Sequence, residues 1–388
     1  MSETVPSRPM VGLLAASCGL AVANIYYSQP LIELIGPALH MGSRAESLIV
    51  SLTQLGYAAG LIFLVPLGDL VENRRLAVAT ILAAILPLVL AGLAWNGPVM
   101  LVVSALIGLT SVVVQMLIPL AAHLTPESHR GRVVGKVMSG LLFGILLSRP
   151  VASVIAAVGS WRLVFFLSAG VMAGLAWLLS HKLPRRVPQV RLHYAALLCS
   201  VFILPVKFAV LRQRAAYQAA CFAGFSLFWT GAPLLLAQEF GFTQRGIAVF
   251  ALAGAAGAFV APAAGHLADR GHTKAGTIGA LCGVVVAFGI AALGAELHAV
   301  VVLAFAGIVL DSAVQTNLVL SQRSIYILAP ELRSRMNGIF MAIFFLGGAA
   351  GSAVTGLLLT EAGWNGLCVL GGALPLLALV YFSFARQA

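Results

Sequence analysis

"RGRVVGKVMSGLLFG" at residues 130–144 returns at 333–347 as "RSRMNGIFMAIFFLG". Arg132 pairs with Arg335, Gly135 with Gly338 and Gly144 with Gly347, and the continuation pairs Trp161 with Trp364, all 203 positions apart. Four coincidences at one offset mark an internal repeat. "QPL" at 29–31 meets "APL" at 232–234 at the same offset. "GDLVE" at 68–72 meets "GHLAD" at 265–269 at an offset of 197, as a longer first outer loop in the first half would produce.

The material being repeated is apolar. The 388 residues are 61% hydrophobic and 9% charged, with a mean hydropathy of +1.02. No soluble domain of this size tolerates such a surface, so the chain reads as a polytopic, all-α membrane protein. At about 20 apolar residues per crossing, helices are expected near 10–36, 47–67, 76–95, 98–122, 133–158, 161–181, 215–237, 246–267, 275–294, 299–321, 336–359 and 365–384. These twelve spans form two pseudo-symmetric six-helix bundles, 1–181 and 215–388, joined by a linker over 182–214. Two related bundles of this kind are a transporter architecture.

A thirteenth apolar stretch, "LHYAALLCSVFILPVKFAVL" at 192–211, has Arg185, Arg186 and Arg191 before it and Arg212 and Arg214 after it. Basic residues collect on the cytoplasmic side of membrane proteins. Both clusters therefore belong there, and the stretch lies at the inner surface or re-enters the membrane, with Lys207 reaching back to the headgroups. Of the 23 Lys and Arg, only Arg44, Arg162 and Arg245 then fall outside, and Arg149 falls within the membrane. Both termini are expected on the cytoplasmic side of the membrane.

The net charge of +11 does not point to nucleic acid, because the basic residues are scattered a few per loop rather than clustered on one face. There is no Walker A loop, dinucleotide-binding glycine unit or HExxH pair. No cofactor, metal or catalytic cluster is expected, and the chain is not expected to be an enzyme. Cys18, Cys199, Cys221, Cys282 and Cys368 sit in or beside apolar runs without CxxC spacing and read as free packing thiols. The first apolar stretch reads as the first transmembrane helix rather than a cleaved signal.

"GHLADRGHTK", residues 265–274, resembles the signature between the eighth and ninth helices of the major facilitator superfamily, a G-x-L-x-D-R-x-x-x-K pattern. The first-half copy "GDLVENRR" is degenerate: Glu72 stands for the Asp and Asn73 for the Arg, with Arg74 and Arg75 supplying charge. "NIYYSQPLI" at 24–32 resembles a bacterial branch near the drug:proton antiporters. The likeness spans essentially the whole chain. It implies that spans 1, 4, 7 and 10 line a central cavity, with spans 5 and 8 at the seam between the halves. Glu72, Asp269 and Arg270, with Arg130, Arg132, Arg333 and Arg335, are expected to form a cytoplasmic gate; the alternative is that these charges only fix topology.

An ionised side chain at the bilayer centre costs about 2.5–3.5 kcal/mol even on lenient scales, so such residues pair or face a wet chamber. Arg149 in the fifth span and Asp311 in the tenth each lie roughly 15–18 Å deep at 1.5 Å per residue. Pro150 withholds an amide from the helix, so a bend or loosening is expected there, giving the guanidinium a polar neighbour. Around these two charges the candidate substrate-binding residues are Asn24, Tyr27, Gln29, Gln115, Trp229, Gln315 and Asn317, with Arg149 itself.

Asp311 is the candidate proton-coupling residue, with a static buried salt bridge as the alternative. Drug antiporters of the superfamily carry an Arg in helix 4 and Gly-Pro in helix 5. Here "LVVSALIGL" at 101–109 has no basic residue and Arg149 precedes Pro150, which favours a substrate of anionic or polar character. His123 and Glu33 read as interfacial and solvated side chains. The function expected is proton-coupled efflux of a small organic molecule by alternating access, as a monomer in the bilayer. The alternative is an importer or facilitator of an anionic metabolite, with Arg149 as carboxylate clamp.

Overall fold

The computed structural model describes residues 6–187, 193–257, 272–328 and 332–384. Among the described residues, nine helices are long and apolar enough to cross a membrane. The last of these, Arg333–Phe384, is divided by Gly363, whose φ of +62° breaks it into α11 (333–362) and α12 (364–384). The others, in order, are α2 (Ser43–Phe63), α3 (Asn73–Leu93), α4 (Gly97–His123), α5 (Glu127–Val158), α6 (Trp161–Lys182), α7 (Ala209–Gln238), α9 (Thr273–Glu296) and α10 (Val300–Tyr326). The shorter α1 (Arg8–Ala23) and α8 (Gln244–Gly257) complete the expected order of segments; α8 runs up to 258–271, outside the described residues.

Three expectations are corrected. The first span is not one helix over 10–36. α1 stops at Ala23, the chain turns through 24–28, and a 3-10 turn (Gln29–Leu31) leads into a short helix (Ile32–Ala38). Pro30 has no amide to donate and crowds the residue before it, so helical bonding fails there. α4 is likewise interrupted by a 3-10 turn at Ser111–Val113. Thr110 and Ser111 donate back to the carbonyls of Leu106 and Ile107 at 2.8 and 2.6 Å, a bond that bends helices. Conversely, α5 stays helical through Pro150. The polar neighbour of Arg149 comes from the irregular stretch after α1, not from a loosened turn of α5.

Small residues bring helices together within each half. A Cβ on Gly140 or Gly144 would lie 2.3 or 2.1 Å from a backbone oxygen of α1, at Ala15 and Gly19. On α11, Gly347 and Gly351 meet Ala219 and Ala223 of α7 in the same way, at 2.4 and 2.2 Å. The repeated glycines thus build the same close crossing twice. Between halves, α2 packs along α11 and α5 against α8. Large apolar side chains face outward around the bundle, among them Leu86, Val102 and Val301, where lipid tails satisfy them.

The stretch after α6 forms a helix, Tyr194–Lys207, against the ends of α2, α7 and α11. Leu197, Val201 and Leu204 form its buried stripe, Phe202, Ile203 and Val206 face outward, and the Tyr194 hydroxyl donates to the Phe63 carbonyl at 2.7 Å.

Candidate functional site

A cavity of about 970 Å³ opens between the halves at the end carrying the basic loops. Asp69, His123, Arg130, Arg333 and Arg335 line its mouth; Tyr26, Arg149, Phe225 and Asp311 line its closed end. Beyond the closed end the halves touch. Ser51 and Ser352 share a hydrogen bond of 2.9 Å, and the Gln54 amide donates to Ser226 at 3.0 Å. Gln244 donates to Glu33 and to the Pro30 carbonyl, Arg44 pairs with Glu361, and Ile32, Val50 and Leu234 form a small apolar seal.

Arg149 is 2% exposed. Its Nε donates to Gln29 Oε1 at 2.9 Å, and its guanidinium carbon lies 4.4 Å from the Trp229 ring, 5.0 Å from Phe225 and 5.4 Å from Tyr26. Each of these three rings is close enough for a cation–π attraction of about 0.5–2 kcal/mol, which offsets part of the cost of burying the charge. Asp311 does not pair with it directly: the ion pairs among the described residues lie elsewhere. Trp229 links the two, its indole N–H donating to Asp311 Oδ1 at 2.7 Å while its face takes the guanidinium. α8 packs against both partners, where a Cβ on Gly254 would lie 2.4 Å from Trp229 Cζ2 and 2.9 Å from Asp311 Oδ2. Arg149 belongs to the first half and Asp311 to the second, and both reach the same chamber.

Of the other sequence-derived candidates, Gln115 and Gln315 line the cavity, while Gln29 and Trp229 stand behind the wall and hold Arg149. Asn24 turns away to accept from Ser168 on α6 at 2.5 Å, and Asn317 is buried against Gln218 at 2.7 Å. Tyr27 is half-buried off the cavity wall. These three are corrections: Asn24 and Tyr27 lie in the irregular stretch after α1 and Asn317 on α10, and none of the three lines the cavity.

The mouth also differs from expectation. Glu72 pairs with Arg75, three residues on, at 3.2 Å; the acid that crosses between halves is Asp69, 3.6 Å from Arg335. Arg130 and Arg333 donate to the Ala122 and Tyr326 carbonyls at the ends of α4 and α10, at 3.1 and 2.8 Å, and Arg132 is exposed. Asp269 and Arg270 lie outside the described residues.

Sequence reasoning missed an amide network on the cavity wall. Asn337 donates to Gln115 at 3.3 Å across the halves and accepts from Gln322 and the Tyr326 hydroxyl at 3.2 and 2.9 Å. The signal was in the repeat, where Asn337 answers Val134 of the first half. Phe225 on the seventh span was expected in the chamber, but the rings around it were missed: Phe222 stacks on it at 5.0 Å and on Phe344 at 3.8 Å, with Phe345 against Tyr57 at 4.4 Å. No group of three or more His, Cys, Asp or Glu among the described residues is placed to hold a metal ion.

A sequence model of the Major Facilitator Superfamily matches residues 12–326. The chain belongs to the major facilitator superfamily. It is 40% identical to the transporter YgaY of Escherichia coli (strain K12), over 98% of this chain and 97% of that one. A probable sugar efflux transporter of Helicobacter pylori (strain HPAG1) is 23% identical, over 91% of this chain and 89% of its own length. A crystal structure of the nucleoside transporter NupG, a point mutant, superposes with a TM-score of 0.77 at 14% identity, covering 96% of this chain and 99% of NupG, which shows the shared fold. The chain is a multi-pass membrane transporter of this superfamily and not an enzyme.

Proposed function

We propose that this transporter moves a small organic molecule across the bacterial cytoplasmic membrane by alternating access, with Arg149 as substrate ligand and Asp311 as the group that exchanges the coupling proton. The observation that carries the reading is the closed end of the cavity, where a base from one half meets the ring face of Trp229 and an acid from the other half takes its indole N–H. A charge pair relayed in this way changes its geometry whenever the halves move. The basic rim of the mouth fits a cytoplasmic orientation with both termini inside, so the structure corresponds to an inward-facing arrangement. The linker 182–214 then joins two bundles that rock about the site. At the opposite end the halves are held by a few polar bonds worth about 0.5–1.5 kcal/mol each, weak enough to break in each cycle. Asp69 and Arg335, already 3.6 Å apart across the mouth, would hold the halves in register there as that side closes.

Efflux in exchange for protons is the direction we favour, as the relatives named sugar efflux transporters suggest. The second reading, import or facilitated passage of an anionic metabolite, is favoured by one observation: Arg149 lines the closed end of the cavity without a direct ion pair to Asp311. The test uses purified protein in liposomes and a labelled solute chosen by thermal-stability screening. Asp311→Asn should abolish pH-gradient-driven accumulation while leaving counterflow. Gradient-driven transport that survives Asp311→Asn removes the proton role.

A further inference from the structure

The closure at the outer end contains an acid to which the transport scheme gives no task. Glu33 lies in the short helix Ile32–Ala38 of the first half and is half-buried. Across the seam it accepts a hydrogen bond from the side-chain amide of Gln244 on α8, and the same amide nitrogen donates to the Pro30 carbonyl at 3.3 Å. A carbonyl only accepts, so the Pro30 contact fixes which end of the Gln244 amide is nitrogen. The amide oxygen, Oε1, is buried without a donor among the described residues, and Gln244 as a whole is 8% exposed. A buried acceptor without a donor carries its full desolvation cost. Ionised Glu33 can only accept and leaves that oxygen unpaired. Protonated Glu33 carries the one O–H that the pair lacks, so that acid and amide bond in both directions.

The charges around Glu33 point the same way. The short helix packs on α2, on α7 and on the 3-10 turn before it. From α2, the buried Glu46 covers Gly36, one turn on from Glu33: a Cβ on Gly36 would lie 2.1 Å from Glu46 Oε1. Arg44, also on α2, is taken by Glu361 of α11. His40 after the short helix, Glu239 at the end of α7 and Arg245 beside Gln244 are exposed. Among the described residues no ion pair includes Glu33 or Glu46. Two partly shielded carboxylates about a helical turn apart, with no cation between them, cost less with a proton on one of them.

We propose that the outer gate is locked by a proton: closing the gate puts a proton from the outer medium on Glu33, which then bonds Gln244 reciprocally across the halves, and opening it returns Glu33 to water and the proton to that medium. A carboxyl in water is ionised at neutral pH, so the proton belongs to the closed form. A ligand that binds one of two forms more tightly draws the equilibrium to it. Acid on the outer side therefore favours the closed outer gate and the inward-facing arrangement. The lock rests on the alternating access proposed above and is separate from the exchange assigned to Asp311, because its proton never crosses the membrane.

The test is pulsed electron paramagnetic resonance on the full chain in lipid nanodiscs. The native cysteines are replaced, and spin labels stand at Trp95→Cys and Leu297→Cys, exposed positions just past the outer ends of α3 and α9 in the two halves. In the labelled parent chain the short-distance population should grow as pH falls. Glu33→Gln, whose amide supplies the missing donor without a proton, should hold the short distance throughout the titration. Gln244→Leu, which removes both groups that the acid bonds, should abolish the pH response and favour the long distance. The two variants are read separately, so that failure of one to fold leaves the other decisive. A pH response unchanged by either variant, no response in the parent chain, or opening as pH falls would overturn the inference. Asp311→Asn should leave the response in place. If Asp311→Asn removes it while Glu33→Gln keeps it, the proton belongs to Asp311, and the lock fails while the proposed function stands. Gradient-driven transport that survives Asp311→Asn, with the Glu33 response intact, sinks the proposed proton role and leaves the lock.

Discussion

Gly144→Ala offers a sharp test of how the halves are built. The added methyl would sit 2.1 Å from the Gly19 carbonyl oxygen and 2.4 Å from its Cα, whereas ordinary contact begins near 3.4 Å. α1 and α5 would have to part locally by roughly 1.3 Å, which forfeits dispersion contacts along the crossing. Overpacking of this kind costs about 1–3 kcal/mol, against a gain of at most about 1 kcal/mol from the better helix propensity of alanine. The net expectation is destabilisation. Gly174→Ala on α6 supplies the control, because nothing lies within 4 Å of its methyl. There only the propensity gain remains, so stability should hold or rise by up to about 1 kcal/mol. Thermal unfolding of the two purified variants in one detergent should move them apart, with Gly347→Ala, the repeat counterpart on α11, following Gly144→Ala. If Gly144→Ala and Gly174→Ala shifted together in sign and size, the glycine crossings would not be what holds each bundle.

Ser51→Cys with Ser352→Cys places two thiols where hydroxyls now stand 2.9 Å apart across the halves. In a background without the native cysteines, oxidation should stop transport and a reductant should restore it; full transport by the cross-linked chain would contradict alternating access. Trp229→Phe removes the donor to buried Asp311 and should cost about 1.5–3 kcal/mol in thermal unfolding. Asp311→Asn, which keeps an acceptor for the indole, should cost less; the reverse order would show that the Trp229 bond is not what accommodates the acid. Asp69→Arg should lower transport with little change in stability, since part-exposed pairs contribute about 0–1 kcal/mol. Adding Arg335→Asp should recover activity, while an equal effect from Glu72→Arg, recovered by no partner at 335, would return the latch to Glu72.

The candidate site was legible to different depths. Arg149 and Asp311 stood out because lipid makes an unpaired charge expensive wherever it sits in sequence. The tilt of each helix about its own axis was not legible. A residue on or just beyond a lining helix can face the chamber or a neighbouring helix, and Asn24 and Asn317 took the second course toward Ser168 and Gln218. Trp229 was named as a binding residue, yet its place between base and acid needs α7, α5 and α10 at once. Asn337 could have been found as the polar exception in an otherwise apolar repeat position, since Val134 answers it.

Sequence by itself determined that this is a membrane-spanning bundle of two related halves. Apolar run length and a constant repeat offset are one-dimensional quantities, and the bilayer converts the first directly into spans. The tertiary structure decided everything that depends on rotation and on distance between segments remote in the chain. It broke the first span after Ala23, left the fifth helical through Pro150, moved the crossing acid from Glu72 to Asp69 and brought Gln29 to Arg149 across 120 positions. Hydropathy carries no azimuth, and a hydrogen bond between distant segments leaves no mark on either until they are folded together.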